Sequence, residues 1–384
     1  MERKEKYLSR RNFIGQVAVC GAFCGCSSLQ GDGRAYSVSI LGDTHFDAEP
    51  RNVYHAFWTP RSESDRRDRE NEFARNTAMW SSRLPRLIAA AAQTCRADTA
   101  FLLHMGDLIQ GDCNNDDRQM KMLQDAAAAC TRGFPDIPFL PVPGNHDLRN
   151  GGTKAFDLFF EKLAEKAPKF CTSSTSTAFW QGPDAYILLD FMRPDVDLIN
   201  RLLDKTEGAR YTFIVVHSPI AASDTWGPYW FLLGKPKDTN ARRALFARLL
   251  RRQAIVLCGH LHVTQIRRWR VGTDELVEFC ANSVWRQQED VPKQTAFTPA
   301  DYGSYSRQHP TPMGEDHDGC HQTRTQAEIT ALLDEYKQGL VDYRQYRAAG
   351  HYLMNVSDTG VEVDFYACDS KTPTQTFTLK TSHV

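Results

Sequence analysis

The chain has 384 residues, 41% of them hydrophobic and 24% charged, with a formal net charge of −1. That length can bury a substantial core, as one large domain or a domain with an appendage, and the composition excludes a disordered or fibrous chain. The near-neutral balance turns mildly acidic once the basic N-terminus is set aside, so no nucleic-acid partner is expected on electrostatic grounds.

Residues 1–28 read as an address rather than as part of the fold. Ser9-Arg10-Arg11-Asn12-Phe13-Ile14 resembles a twin-arginine export signal, with paired arginines ahead of a short apolar stretch. That stretch is too short to span a bilayer stably. Cys24-Gly25-Cys26-Ser27-Ser28 resembles the lipobox of bacterial lipoproteins with Cys26 as the lipidated residue; ordinary signal-peptidase cleavage nearby is the alternative. These features predict an exported bacterial protein, periplasmic or anchored to the membrane through a lipid on Cys26. No internal transmembrane helix is expected, because no later apolar run is long enough. Of the eleven cysteines, the eight beyond the leader form no C-x-x-C pair, and Cys95 and Cys258 lie in apolar contexts typical of buried thiols. An oxidising compartment permits disulfides, but their pairing is not readable here.

The first strand spans 36–41 and ends at Gly42-Asp43-Thr44-His45. Residues 48–72, rich in Arg, Asp, Glu and Pro, are expected to form a surface loop. Residues 73–96 carry helical spacing through Phe73, Met79, Trp80, Leu84, Leu87 and Ile88, and Pro85 is expected to kink or split that helix. A strand at 99–103 leads to Gly106-Asp107, a helix covers 117–132, and a strand at 137–142 runs into Gly144-Asn145-His146-Asp147. Helical spacing returns near 154–166, and 178–180 and 185–191 flank Gln181-Gly182-Pro183-Asp184 as a hairpin. Apolar strands at 214–216 and 254–258 end at His217 and at Gly259-His260-Leu261-His262; an aromatic loop at 226–231 and a helix at 238–252 lie between them. Strands follow at 264–271 and 275–281. Residues 286–324, poor in apolar side chains, read as an irregular loop or lid. Thr325-Gln326-Ala327-Glu328 has the form of a capping box opening a helix to Ala349, interrupted at Gly339; strands at 352–356, 361–366 and 376–379 close the chain. The expected organisation is therefore a leader (1–28), a core (34–285), the loop or lid (286–324) and a C-terminal helix and strands (325–384) that complete the fold.

Strands interleaved with helices point to an α/β fold, in which ligands gather at the carboxyl ends of the strands. Those ends carry two Asp, one Asn and four His, a mixed oxygen and nitrogen donor set suited to a pair of first-row transition metals. In Asp43-Thr44-His45 and His260-Leu261-His262, side chains two apart can both reach one metal from an extended or turning backbone. The glycines at 42, 106, 144 and 259 are expected to let the chain turn tightly just before each ligand.

Asp-x-His, Gly-Asp, Gly-Asn-His-Asp, a lone His after an apolar strand, and Gly-His-x-His follow in that order within residues 36–265. The set resembles the calcineurin-like metallophosphoesterase superfamily. The resemblance implies a two-sheet β-sandwich flanked by helices, with a metal site at the strand ends. It implies that Asp43, His45 and His262 bind one metal, that Asn145, His217 and His260 bind a second, and that Asp107 bridges them. The two divalent or trivalent ions would be Mn, Fe or Zn, which this donor set does not separate. Held about 3.5–4 Å apart, they would share a bridging hydroxide for in-line attack on a phosphate ester. His146 resembles the family's catalytic histidine, which binds no metal and stabilises or protonates the leaving oxygen.

In the protein-phosphatase branch the motif G-D-x-x-D-R-G supplies a carboxylate that orients this histidine. Here Gln110 stands where that Asp would be and no Arg follows, leaving Asp112 or Asp147 as substitutes. The same segment lacks the Tyr that colours purple acid phosphatases, so the chain fits better with the broad bacterial phosphoesterase branch. The expected activity is hydrolysis of a small-molecule phosphate ester, either a monoester or a diester. A pyrophosphatase acting on a nucleotide- or lipid-linked diphosphate, and a binding lipoprotein without turnover, are competing readings; the intact donor set argues against the last. Arg149 is a candidate for gripping substrate phosphate, a solvated loop arginine being the alternative. The aromatics of 226–231 either wall the site or pack in the core, and His317, Cys320 and His321 read as solvated loop residues rather than a further metal site.

Overall fold

The apolar runs become strands buried on both faces, and these assemble into two mixed sheets. The computed structural model describes residues 35–48, 53–167, 169–170, 174–225, 228, 230–285, 291–309 and 325–381. The leader, Trp226, Gly227, Tyr229, His317, Cys320 and His321 lie outside that set.

The strands are β1 (Tyr36–Leu41), β2 (Thr99–His104), β3 (Phe139–Pro141), β4 (Thr177–Gln181), β5 (Asp184–Leu189), β6 (Thr212–Val216) and β7 (Ile255–Cys258). They continue with β8 (Thr264–Val271), β9 (Asp274–Cys280), β10 (Lys293–Ala296), β11 (Leu340–Arg347), β12 (Gly350–Ser357), β13 (Gly360–Ala367) and β14 (Gln375–Thr381). One sheet has the order β14-β13-β12-β1-β2-β3, the other β10-β11-β8-β9-β7-β6-β5-β4. Pairing is parallel along β1-β2-β3 and along β5-β6-β7-β9. The C-terminal ends of these strands therefore share one edge in each sheet.

Alternation along β6 shows how the layers form. Phe213 and Val215 belong to the core that also holds Val38, Ile40, Phe101 and Leu103 of the first sheet. Ile214 and Val216 belong to a second core with residues of the helices α6 (Val196–Lys205), α7 (Thr239–Arg251) and α9 (Gln326–Lys337). A strand covered on both sides needs apolar residues on both sides, which is why its sequence does not alternate. The helices of the other flank are α1 (Glu63–Trp80), α2 (Arg83–Thr94), α3 (Asp116–Cys130), the single turn α4 (Asn145–Leu148) and α5 (Gly152–Lys166); α8 (Ser304–Gln308) is a short turn near the second sheet's end. The expected two-sheet architecture with flanking helices is what the chain forms. Among the described residues, no helix is long and apolar enough to cross a membrane.

Four features differ from expectation. The charged run 63–72 is the first half of α1 rather than loop. Ser62 caps it by accepting from the Asp65 N–H at 3.1 Å, and Arg66 and Arg69 pair with Glu63, Glu70 and Glu72 one turn away. A helix laced with such pairs and facing solvent carries little apolar periodicity. Second, the break between α1 and α2 falls at Ser81-Ser82, and Pro85 sits inside the first turn of α2, where its missing N–H costs nothing. Third, the helix that opens at Thr325 stops at Lys337. Gly339, at φ +75°, turns the chain into β11, so residues 340–347 are strand and not helix. The segment expected to be irregular also contains β10 and α8.

The described cysteines Cys95, Cys113, Cys130, Cys258, Cys280 and Cys368 are free thiols; Cys258 is buried as expected, whereas Cys95 is only half-buried. In the second sheet the buried guanidinium of Arg267 pairs with Glu278 and donates to the carbonyls of Ala221 and Ala222, while Glu278 accepts from the Ile220 N–H at 2.7 Å. This pair fastens the loop that follows His217 to β8 and β9.

Candidate metal centre

Asp43, Asp107, Asn145, His217 and His260 each follow a parallel strand, namely β1, β2, β3, β6 and β7. Beyond the strand ends the backbone keeps zipping. Asp43 N–H donates to Gly106 O at 3.2 Å, His45 N–H to Asp107 O at 2.9 Å, and Phe46 N–H to Leu108 O at 2.8 Å. The two sheets are stitched at the same edge, where Ser283 N–H donates to Gly42 O at 2.9 Å and Ser283 Oγ donates to Gly350 O at 2.7 Å.

The donors converge in two groups sharing one residue. Asp43, His45, Asp107 and His262 offer ligand atoms within 4.8 Å of one another, and so do Asp107, His217 and His260. In the first group His45 Nε2 lies 3.0 Å from His262 Nε2 and 3.6 Å from Asp107 Oδ2. In the second, His217 Nε2 lies 3.1 Å from His260 Nδ1 and 3.3 Å from the same Asp107 Oδ2. The other oxygen, Asp107 Oδ1, accepts the His146 N–H at 2.9 Å, which fixes the carboxylate's rotation. Asp43 Oδ1 is fixed likewise by the His260 N–H at 2.8 Å. His217 donates its Nδ1–H to the Met105 carbonyl at 2.6 Å, so its Nε2 lone pair is the one turned to the group.

These atoms fit metal ions better than they fit one another. Among the described residues, Asp43 Oδ2 and Asn145 Oδ1 are buried without a hydrogen-bond partner, a costly state for polar oxygens unless a cation meets them. Burial pushes Asp43 well above the usual carboxylate range, with His217 opposing. Burial also pushes Asp107 up, yet the imidazoles of His217, His146 and His45 outweigh it and hold this carboxyl well below its usual range. His217 resists charge because it is buried, but Asp107 and Asp43 raise it to about 9, while burial drops His45 to about 4. Such a cluster is a strong sink for positive charge, a proton or a metal cation alike.

The role expected of the glycines divides differently. Only Gly106 among the four has a left-handed backbone, at φ +86°. The ligands themselves carry the turn: Asp43, His45, Asp107, His260 and His262 all lie at φ between 42° and 69°. Gly144 and Gly259 are there for close approach. A Cβ on Gly144 would sit 2.2 Å from Asp107 N, and one on Gly259 2.5 Å from Asp43 Oδ2.

His146 lies on α4 beside the first group, its ring edge-on to His45 with centroids 4.4 Å apart. Neither carboxylate expected to orient it does so. Asp147 instead accepts from the Gly144 N–H at 2.8 Å and the Ile109 N–H at 3.1 Å, and Asp112 faces Arg149 and Asn150. The backbone carbonyl of Gln110, 2.9 Å away, accepts the His146 Nδ1–H; Arg149 Nη1 lies 3.3 Å from the same nitrogen, to which it can donate only when Nδ1 carries no proton. Arg149 is only 8% exposed, so it is not a solvated loop residue; its Nη1 is 3.4 Å from Asp112 Oδ2. Of the aromatic loop, Trp230 packs 4.9 Å from His260 and Phe231 is buried. Phe191, 5.4 Å from His217, was not singled out by any motif. Neither was Thr44, which bonds His104 at 2.9 Å and whose carbonyl accepts from Trp80 Nε1 at 2.8 Å.

Residues 36–264 match the model of the family described as calcineurin-like phosphoesterase, and the chain belongs to that family. The Asp/His groups at the strand ends are of the kind that could hold metal ions. Similar solved structures include a purple acid phosphatase from seeds of yellow lupin (Lupinus luteus), 12% identical with a TM-score of 0.48 over 90% of this chain and 53% of that one. PhoD is 9% identical with a TM-score of 0.48, over 90% of this chain and 68% of its own. GAP50, described as the anchor in the inner membrane complex of Plasmodium, is 12% identical with a TM-score of 0.44, over 91% of this chain and 90% of its own. The chain thus spans about half the length of the lupin enzyme. No curated protein sequence matches it.

The close approach at Gly144 gives a direct test. Gly144→Ala should displace the Asp107 loop, lower the melting temperature and reduce bound metal by at least half in elemental analysis; unchanged metal content and stability would show that the approach is looser than 2.2 Å.

Proposed function

We propose that the chain hydrolyses a small-molecule phosphate ester at a two-metal site, with Asp43, His45 and His262 holding one ion, Asn145, His217 and His260 the other, and Asp107 shared. The observation that carries this reading is the membership of Asp107 in both donor groups, its Oδ2 lying 3.6 Å from His45 Nε2 and 3.3 Å from His217 Nε2. Manganese, iron and zinc all suit the donors. When bound, such a pair supplies Lewis acidity toward phosphoryl oxygens and brings the pKa of water toward neutrality.

The chain's own residues do the rest. Asp107 and Asp43 offer negative charge fixed in direction by the backbone N–H groups of His146 and His260, so the cations they would hold are placed without reorganisation. The Met105 carbonyl keeps His217 in the tautomer that presents Nε2. His146, outside both donor groups and beside His45, serves the leaving oxygen, holding or donating a proton at Nε2. Arg149, anchored by Asp112 next to the His146 ring, adds positive charge on the side of the leaving group, where it favours a phosphate ester over a neutral one.

Protein loaded with Mn²⁺ and offered bis-p-nitrophenyl phosphate and p-nitrophenyl phosphate is the test. Turnover of at least one ester is expected. His146→Gln should cut kcat about 100-fold while leaving metal content nearly intact. Loss of metal in that variant would reassign His146 as a ligand, and no turnover with both ions bound would favour a binding protein.

We also propose that residues 1–28 direct export through the twin-arginine route, with Cys26 lipidated or removed by cleavage nearby. Replacing Arg10 and Arg11 with Lys should hold the protein in the cytoplasm, and membrane recovery of the exported wild type would indicate lipid on Cys26. Unchanged delivery of the Lys variant would contradict the route.

A further inference from the structure

One buried amide organises the side of the site away from the metals. Gln110 is fully buried, and three of its side-chain hydrogen-bonding positions are taken. Its Nε2 donates to Glu72 Oε2 at 3.1 Å and to Asp112 Oδ2 at 3.4 Å, and its Oε1 accepts from Asn76 Nδ2 at 2.5 Å. Its backbone N–H donates to Phe46 O at 3.0 Å, which leaves its backbone carbonyl aimed at His146 Nδ1. Every polar group of this residue is therefore held, and the group it presents to the site is a carbonyl.

The two anchors on α1, Glu72 and Asn76, lie four residues apart and so share one helix face. Glu72 is braced from behind by Arg69 at 2.6 Å and lies 4.0 Å from Arg149 Nη1. The chemistry of this nest explains why an amide stands at position 110. Two carboxylates, Glu72 and Asp112, converge on its Nε2. A carboxylate at 110 would bring a third negative charge into a buried space and donate to neither. An amide donates to both. With its side chain committed to α1, residue 110 can reach His146 only through its main chain.

We propose that Glu72 and Asn76 of α1 are positioning residues for His146, acting through Gln110. The clamp presses the Gln110 carbonyl against Nδ1, which keeps a proton there against the Arg149 Nη1–H donor 3.3 Å away, so the proton passed to the leaving oxygen is the second one, carried at Nε2 when the ring is doubly protonated. α1 thereby does from a distance what a carboxylate beside the histidine would do directly. The inference rests on the leaving-group role given to His146 above.

A double-mutant cycle tests it, with metal-loaded protein, an activated ester (p-nitrophenyl) and an unactivated one (phenyl or alkyl). Glu72→Ala and Asn76→Ala should each lower kcat about tenfold on the unactivated ester, with KM and metal content nearly unchanged and a smaller loss on the activated ester. Glu72→Gln, whose amide oxygen still accepts from Gln110, should recover most of the rate. In the His146→Gln background the α1 substitutions should cost nothing further. An undiminished loss in that background, equal losses on both esters, or loss of metal would overturn the proposal and make the nest a purely structural support. If His146→Gln itself leaves turnover unchanged, it is the underlying role of His146 that fails. A readout independent of turnover is ¹⁵N NMR of the Zn²⁺-loaded protein, with the His146 signal assigned by its absence in His146→Gln. At a pH where the ring is neutral, its one proton should reside on Nδ1 in the wild type and redistribute toward Nε2 in Glu72→Ala; an unshifted tautomer in that variant would also contradict the clamp.

Discussion

The structure is organised around a carboxylate that two sets of imidazoles must share. Asp107 lies buried between His45 on one side and His217 on the other, with one oxygen turned toward both and the other pinned by the His146 N–H. Holding these donors together is costly in three ways: the carboxylates are desolvated, buried oxygens of Asp43 and Asn145 lack protein partners among the described residues, and five donor residues sit in the left-handed backbone region. Backbone strain alone costs about 1–3 kcal/mol at each such residue. What offsets it is the zipping of the 43–46 and 106–110 segments past their strands, the stitch from Ser283 to Gly42 and Gly350, and the charge that a cation would bring.

The sandwich supplies the geometry this requires. Parallel strands from both sheets end at one edge, so single residues after β1, β2, β3, β6 and β7 meet although they lie far apart in sequence. The anchors behind them are buried and polar: Arg267 with Glu278 under the loop after His217, His104 with Thr44, and Trp80 Nε1 on the Thr44 carbonyl. The metal-facing tier is therefore supported mostly by the sheets, and the His146 tier mostly by α1 and the loop after β2.

Much of the site was legible because each donor follows an apolar run and the donor types are chemically coherent. The two-sheet fold was legible for the same reason, since strands buried on both faces, such as β6, announce themselves by unbroken hydrophobicity. What was hidden lacked an apolar signal. The N-terminal half of α1 is held by a cap and Arg–Glu pairs, and composition alone reads such a run as loop. β11 was obscured because its start follows a good helix without any break except Gly339. Gln110 looked like a missing carboxylate, because a sequence shows which side chain is present and not which carbonyl has taken over its task. The glycines misled in a smaller way: apart from Gly106, the left-handed turns belong to Asp43, His45, Asp107, His260 and His262, while Gly144 makes room for Asp107 and Gly259 for Asp43.

The sharing of Asp107 is tested most directly by low-temperature electron paramagnetic resonance of protein reconstituted with Mn²⁺, with the bound metal counted by elemental analysis. Two ions per chain giving an exchange-coupled multiline spectrum, converted by Asp107→Ala to an isolated-ion signal or to loss of metal, is the expected result. Two ions per chain that show only isolated-ion signals in the wild type would contradict a carboxylate held in common.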